Sequence, residues 1–182
     1  MRQQILLSGV GGQGILFITR LLAEAAIYKG FPVLTSETHG MAQRGGTVLS
    51  HLKVGPFTSP LIRPGQADGL ILLKAENLAR HRFFLKPGGW IVVNAPSRPE
   101  GAEDIYWIDA DTLAEQTGNH QSVNLIVLGC ALSRVEQQSK GQHSLFYSLN
   151  DVTAVLRQRL AQRERLLNNA LHALTLGAEE GK

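Results

Sequence analysis

Gly9, Gly11, Gly12 and Gly14 put four glycines into six positions, between an apolar run and a stretch with helical spacing. Glycine there permits a tight turn and lets backbone N–H groups approach an anion at a helix start. Phosphate binding is the chemistry of such a loop; a tight strand–helix packing turn without ligand is the bland alternative. Gln13 inside the loop can extend its amide to the same ligand or cap the helix. A second segment, Thr35 to Gly46, carries Glu37, His39, Gly40, Met41, Gln43 and Arg44. Glu37 lies about 28 residues after Gly9, near a strand end where a carboxylate accepts hydrogen bonds from a ribose. It can equally serve as structural partner for Arg44 or the loop backbone. Arg44 offers a planar donor fork for phosphate or carboxylate, and His39 can carry a proton. No base faces a nucleophile in this set, so no catalytic residue is assigned and no metal ligand. His39, Gly40, Met41, Gln43 and Arg44 read as interface residues or residues that orient others, and Gly9, Gly11, Gly12, Gln13, Gly14 and Glu37 as cofactor-binding.

These residues need a sheet to hold them. Gln4–Ser8 reads as a buried strand, Ile15–Lys29 as a helix closed by Lys29-Gly30, and Pro32–Ser36 as a second strand, which makes one β–α–β unit. Thr47–Val54 alternates like a half-buried strand. About ten residues separate it from strand two, too few for a parallel crossover. An antiparallel or edge placement is expected. Ala67–Leu73 reads as a central parallel strand, Ala75–Leu85 as a helix, Pro87-Gly88-Gly89 as a turn and Trp90–Asn94 as a buried strand. Ile105–Ile108 is a short strand, followed by helices from about Asp111 and over Val123–Val135. A surface loop is expected at Ser139–Gln142. The last helical region runs from Val152 to about Leu176, with a break near Gln162–Glu164. The expected fold is α/β: a Rossmann-like three-layer arrangement, its sheet mostly parallel, with helices on both faces, forming one domain over 1–182.

Composition narrows the function. The chain has 182 residues, 43% hydrophobic and 18% charged, with formal net charge +3. So small an excess argues against a dedicated nucleic-acid binder. No uncharged apolar run reaches a bilayer span of ~18 residues, and Met1-Arg2-Gln3-Gln4 leads straight into a strand. A cytoplasmic protein is expected. The single cysteine, Cys130, cannot hold an iron–sulfur cluster by itself. It lies in an apolar helix pattern and reads as a buried small hydrophobe. Arg157, Arg159, Arg163 and Arg165 read as a solvated helix face, or as a surface for an acidic partner.

The two glycine segments together resemble the gamma subunit, or gamma domain, of the 2-oxoacid:ferredoxin oxidoreductases, most closely the small subunits of the indolepyruvate and related enzymes. Ser59-Pro60-Leu61-Ile62, Ala67-Asp68, Leu85-Lys86-Pro87-Gly88-Gly89, Asn169-Ala170 and Leu176-Gly177 follow in the family's order. The resemblance implies oxidative decarboxylation of a 2-oxoacid to an acyl-CoA, with electrons passed to ferredoxin. It implies that thiamine diphosphate, Mg²⁺ and iron–sulfur clusters sit in partner subunits, with coenzyme A at the subunit interface. The chain alone is then inert. Two rival readings are an S-adenosylmethionine-dependent methyltransferase, suggested by Leu85–Val93, and a free-standing dinucleotide-binding module. Against the first, Ser8 stands where an acidic residue usually precedes the glycines. An antiparallel third strand would count against the second. A docking subunit should expose an apolar patch, expected around Met41, Phe57 and Leu61–Ile62, through which the isolated chain would self-associate as a homodimer.

Overall fold

The computed structural model describes residues 2–39, 46–98, 105–138 and 148–180. The apolar run before the glycines forms β1 (Gln3–Val10), and the spacing after them forms α1 (Ile15–Tyr28). Gly30 follows with a positive φ of 82°, the left-handed turn predicted to close this helix. β2 (Val33–His39) and β3 (Thr47–Val54) come next, then β4 (Ala67–Leu72), the short α2 (Asn77–His81), β5 (Leu85–Asn94) and β6 (Ile105–Ile108). Four helices complete the chain: α3 (Ala110–Gln116), α4 (Val123–Gln138), α5 (Leu149–Arg159) and α6 (Glu164–Glu180). The break expected near Gln162 falls between α5 and α6.

The six strands make one sheet in the order β2-β3-β1-β4-β5-β6. β1, β4, β5 and β6 run parallel, and β3 is antiparallel to both of its neighbours. The loop-length argument therefore holds for direction. The edge half of that expectation does not: β2 takes the edge, and β3 lies between β2 and β1. β3 pairs with β2 on one side and, along its whole length, with β1 on the other. Two further readings are corrected. The helix expected over Ala75–Leu85 is only α2 plus a tight 3₁₀ turn at Arg82–Phe84. Pro87-Gly88-Gly89 is not a separating turn but part of β5. Pairing jumps from Ala67↔Leu85 to Gly69↔Trp90, so the intervening residues of β5 bulge.

The strands' alternation divides the core. Ile5, Leu7, Val48, Leu52, Val54, Ile71 and Val92 face α1 and α3 to α6 in the larger cluster. Leu6, Leu70, Leu72, Ile91 and Val93 face the other way, beneath Leu78 of α2, Ile62 and Phe84. Helices thus cover both faces, one heavily and one thinly. On the heavy side, α4 and α6 cross with backbone nearly touching. A Cβ at Gly129 would lie 2.1 Å from the carbonyl oxygen of Leu174, and one at Gly177 would lie 1.9 Å from that of Ile126. No side chain fits either place. No described helix is long and apolar enough to cross a membrane.

On the thin side, β3 buries His51. Its Nδ1 accepts a hydrogen bond from the Ile62 N–H at 3.1 Å, and its ring meets Phe84 edge-on. An accepting Nδ1 carries no proton, so the imidazole is neutral. Burial, and then the charge of Lys53, hold its pKa below the ordinary value of 6.5. His81 is lowered as well, by burial and by Arg80. Both groups bind fewer protons folded than unfolded. The stability they protect is therefore complete above the unfolded value of 6.5 and is lost as pH falls below it. Thermal melts between about pH 5 and 8 should show Tm flat at the alkaline end and falling through the acid half. His51→Asn, which keeps an acceptor without the titration, should flatten part of that fall; an unchanged slope would remove His51 from the account.

Candidate functional site

The glycine loop emerges at the carboxyl ends of β1 and β4, where ligands of open α/β sheets gather. Much of it is spent on holding itself. The Gln13 side chain folds back: Oε1 accepts from the Val10 N–H at 2.9 Å, and Nε2 donates to the Leu73 carbonyl at 3.4 Å. The Gly11 N–H donates to the Gly46 carbonyl, and that of Gln13 to Val10. Gly9 is required by contact, since a Cβ there would press on Gln13 and on Ile15 at 3.0 Å or less. Gln13 therefore ties the end of β1 to the end of β4, and its amide is engaged within the chain.

Among the described residues the Ile15 and Leu16 N–H groups that open α1 have no acceptor, and neither do those of Gly12 and Gly14. Both residues have positive φ, 91° and 77°, and Gly14 stands at the N-cap of the 14-residue α1. They open on a crevice of about 450 Å³. Ile15, Leu16, Phe17 and Val48 make it apolar, and Arg20 and Arg159 bring cations to its rim. Arg159 also spans to Glu24 at 3.5 Å and lies over the Phe17 ring. The crevice thus pairs helix-start N–H groups and two guanidinium groups with an apolar wall. It can take an anion joined to an apolar arm.

The sheet end beneath the loop is braced by amides that sequence reasoning missed. Asn77 Nδ2 donates to Ser8 Oγ at 3.0 Å. Asn94 accepts from the Ala110 N–H and donates to Asp111, both at 2.9 Å. Asn124 of α4 packs against Gly14, where a Cβ would come within 2.2 Å of its Nδ2. Asn77, Asn94 and Asn124 are all buried. Their signal was a polar residue at the edge of an apolar run, as in Val93-Asn94-Ala95 and Val123-Asn124-Leu125.

Glu37 is not beside the loop. It is exposed on β2 and pairs with Ser50, which in turn pairs with Leu7 of β1. One full strand intervenes, so Glu37 and β1 stand two strand spacings apart, about 10 Å. The ribose role requires strand two to neighbour strand one, and β3 occupies that place. Gly40, Met41, Gln43 and Arg44 lie outside the described residues, as do the side chain of His39 and the loop at Ser139–Gln142. The apolar patch is corrected. Ile62 is 3% exposed, and Phe57 lies under Arg2 and Lys53, so among the described residues of that region only Leu61, at 51%, is an exposed hydrophobe. Burial drives the Cys130 thiol up to about 11, which leaves no thiolate for chemistry. Among the described residues no group of His, Cys, Asp and Glu could hold a metal ion.

The model of the family described as pyruvate ferredoxin/flavodoxin oxidoreductase matches residues 4–180. This chain belongs to that family. Among curated relatives, indolepyruvate oxidoreductase subunit IorB of Archaeoglobus fulgidus is 30% identical, with 97% of this chain and 94% of the relative covered. The 2-oxoglutarate synthase subunit KorC of Methanocaldococcus jannaschii is 30% identical over 74% of this chain and 75% of its own. Among solved structures, the keto/oxoacid ferredoxin oxidoreductase gamma subunit of Geobacter sulfurreducens superposes with TM-score 0.73 at 25% identity, covering 98% of both chains. A 2-oxoglutarate:ferredoxin oxidoreductase of Magnetococcus marinus, with 2-oxoglutarate, coenzyme A and succinyl-CoA bound, shares the fold at TM-score 0.78 and 22% identity. This chain spans 31% of that one. The family match gives no support to a methyltransferase, and β3 removes the strand neighbourhood that a dinucleotide module of the ordinary kind uses.

The loop yields a paired test. Nothing lies within 4 Å of a Cβ at Gly12, so Gly12→Ala bears only the left-handed strain, about 1 kcal/mol. Gly14→Ala adds the collision with Asn124. Thermal melts should show Gly12→Ala lower by roughly 2–4 °C and Gly14→Ala by at least twice that. Equal losses would mean that Asn124 does not brace the loop.

Proposed function

We propose that this chain is the small accessory subunit of a heteromeric 2-oxoacid:ferredoxin oxidoreductase, and that its glycine-loop crevice faces the subunit where the chemistry occurs. The observation that carries this reading is the agreement in length and family with small subunits of such enzymes, together with a crevice built at one end of the sheet. Thiamine diphosphate, Mg²⁺ and iron–sulfur clusters belong on this reading to the partner subunits, and ferredoxin is reached through them. The setting is the cytoplasm.

The crevice fits coenzyme A at that interface. The N–H groups of Gly12 and Gly14, with Arg20 and Arg159, would receive a diphosphate, and the wall of Ile15, Leu16, Phe17 and Val48 would take a thiol-bearing arm. Coenzyme A supplies the acyl-accepting thiol. The chain's own residues bind and orient it, and exclude water along the apolar wall. Gly40, Met41, Gln43 and Arg44 follow β2 in sequence and are proposed to meet the thiamine-bearing subunit. Glu37 is proposed as a structural residue of the β2 edge.

Reconstitution tests the reading. The isolated chain should show no 2-oxoacid-dependent reduction of a viologen dye. Adding it to the thiamine- and cluster-bearing subunits of such an enzyme should raise their CoA-dependent rate at least about tenfold, or ~1.4 kcal/mol of transition-state free energy. Arg20→Glu together with Arg159→Glu should raise the KM for coenzyme A more than it lowers kcat. Turnover by the chain alone, or partner subunits equally active without it, would refute the proposal.

A further inference from the structure

The opposite end of the sheet holds a second cavity that the proposed role leaves unexplained. It is an open depression of about 700 Å³ that draws its walls from separate parts of the chain. Arg2 and Gln4 come from the start of β1, Lys53 from the end of β3, and Arg63 from the following loop. Asp68 and Lys86 come from β4 and β5. Four cations and one carboxylate meet here. The carboxylate is fully used: Asp68 accepts the Gln4 N–H at 2.6 Å with one oxygen and the Lys86 ammonium with the other. Lys86 is thereby neutralised, and among the described residues Arg2, Lys53 and Arg63 have no counter-ion.

Lys53 is the decisive group. The residue is 7% exposed, yet among the described residues its ammonium has neither a carboxylate nor a hydrogen-bond acceptor. Its one favourable contact is the Phe57 ring, 4.9 Å from Nζ to the centroid. Arg2 stacks on the same ring at 4.5 Å while donating to the Pro56 carbonyl at 2.6 Å, so its guanidinium is held in place. Burial, followed by the like charges of Arg63 and Arg2, lowers the Lys53 pKa. The Lys53 stem is covered while its ammonium faces the cavity, where like charges crowd it until an anion pairs with it. Chains tend to carry such a cost where a ligand relieves it.

We infer that this cavity, formed by Arg2, Lys53, Arg63, Thr58 and Ser59, binds a small phosphorylated anion carrying two or more negative charges. Three uncompensated cations match that charge. The arginine forks and the Thr58 and Ser59 hydroxyls supply donors from several directions, as phosphate oxygens require. The volume lies within the range of small-molecule sites and exceeds what a lone inorganic phosphate fills. The cavity lies at the amino end of β1, away from the glycine loop, so this inference is independent of the proposed interface.

Pyrophosphate is the probe, titrated calorimetrically into the full chain at low salt, with citrate as a polycarboxylate of comparable charge. Saturable binding of pyrophosphate is expected, with citrate weaker. Lys53→Met and Arg63→Gln should each weaken pyrophosphate at least about tenfold, a loss of ~1.4 kcal/mol. Lys53→Met should also raise Tm without ligand, because it removes the unpaired charge; this readout shows that the variant is folded. Raising the salt should weaken binding. No binding at millimolar pyrophosphate, equal binding of citrate, or affinity untouched by both substitutions would each overturn the assignment.

Discussion

The antiparallel pairing of β3 with β1 is the constraint from which the rest of the molecule follows. Eight consecutive residues pair, from Gln3↔Val54 to Val10↔Thr47, and the Gly11 N–H extends the ladder to the Gly46 carbonyl. This ties the two glycine segments to each other, although about thirty residues separate them. It also sets β2 out at the edge, with Glu37 beyond the reach of the loop. A fold that begins like a dinucleotide-binding unit is thereby diverted from that use by one strand. The same pairing carries Lys53 to the far end of the sheet, beside Arg2, and buries His51 under Phe84.

Two ends of one sheet thus acquire different chemistry. At the carboxyl end the polar side chains are consumed internally: Gln13 bridges strands, Asn77 holds Ser8, and Asn94 holds α3. Among the described residues, what stays open there is backbone, the N–H groups of Gly12, Gly14 and the first turn of α1. A rigid frame offering a few free donors suits a subunit that completes a site rather than one that performs chemistry by itself. At the amino end the reverse holds: among the described residues Arg2, Lys53 and Arg63 face a cavity without a carboxylate partner. The heavy helical layer behind the sheet, locked where α4 and α6 touch at Gly129 and Gly177, keeps both ends in register.

Local signals were legible in the sequence, and pairings were not. β1 and α1 could be read because an apolar run, a glycine cluster and Lys29-Gly30 are short-range marks. The direction of β3 could be read from the length of the preceding loop. Its position between β2 and β1 could not, because strand order depends on which partner offers the better ladder, and no short-range pattern records that choice. The role first given to Glu37 failed for the same reason, since it assumed neighbouring strands. Phe83 and Phe84, at the far end of the expected helix, stack on each other in the turn that launches β5. The apolar patch around Phe57 failed because its cations, Arg2 beside β1 and Lys53 of β3, meet only once the sheet is formed. The family resemblance rested on paired glycine segments, and these meet where the Gly11 N–H donates to the Gly46 carbonyl.

Hydrogen exchange of this chain, free and assembled with a thiamine-bearing partner subunit, tests the central claim most directly. The account predicts that assembly slows exchange at Gly12, Gly14 and the first turn of α1, while the β1–β3 ladder is already protected in the free chain. Contradiction would come from a glycine loop whose exchange is unchanged on assembly, or from a β3 that exchanges freely until the partner arrives.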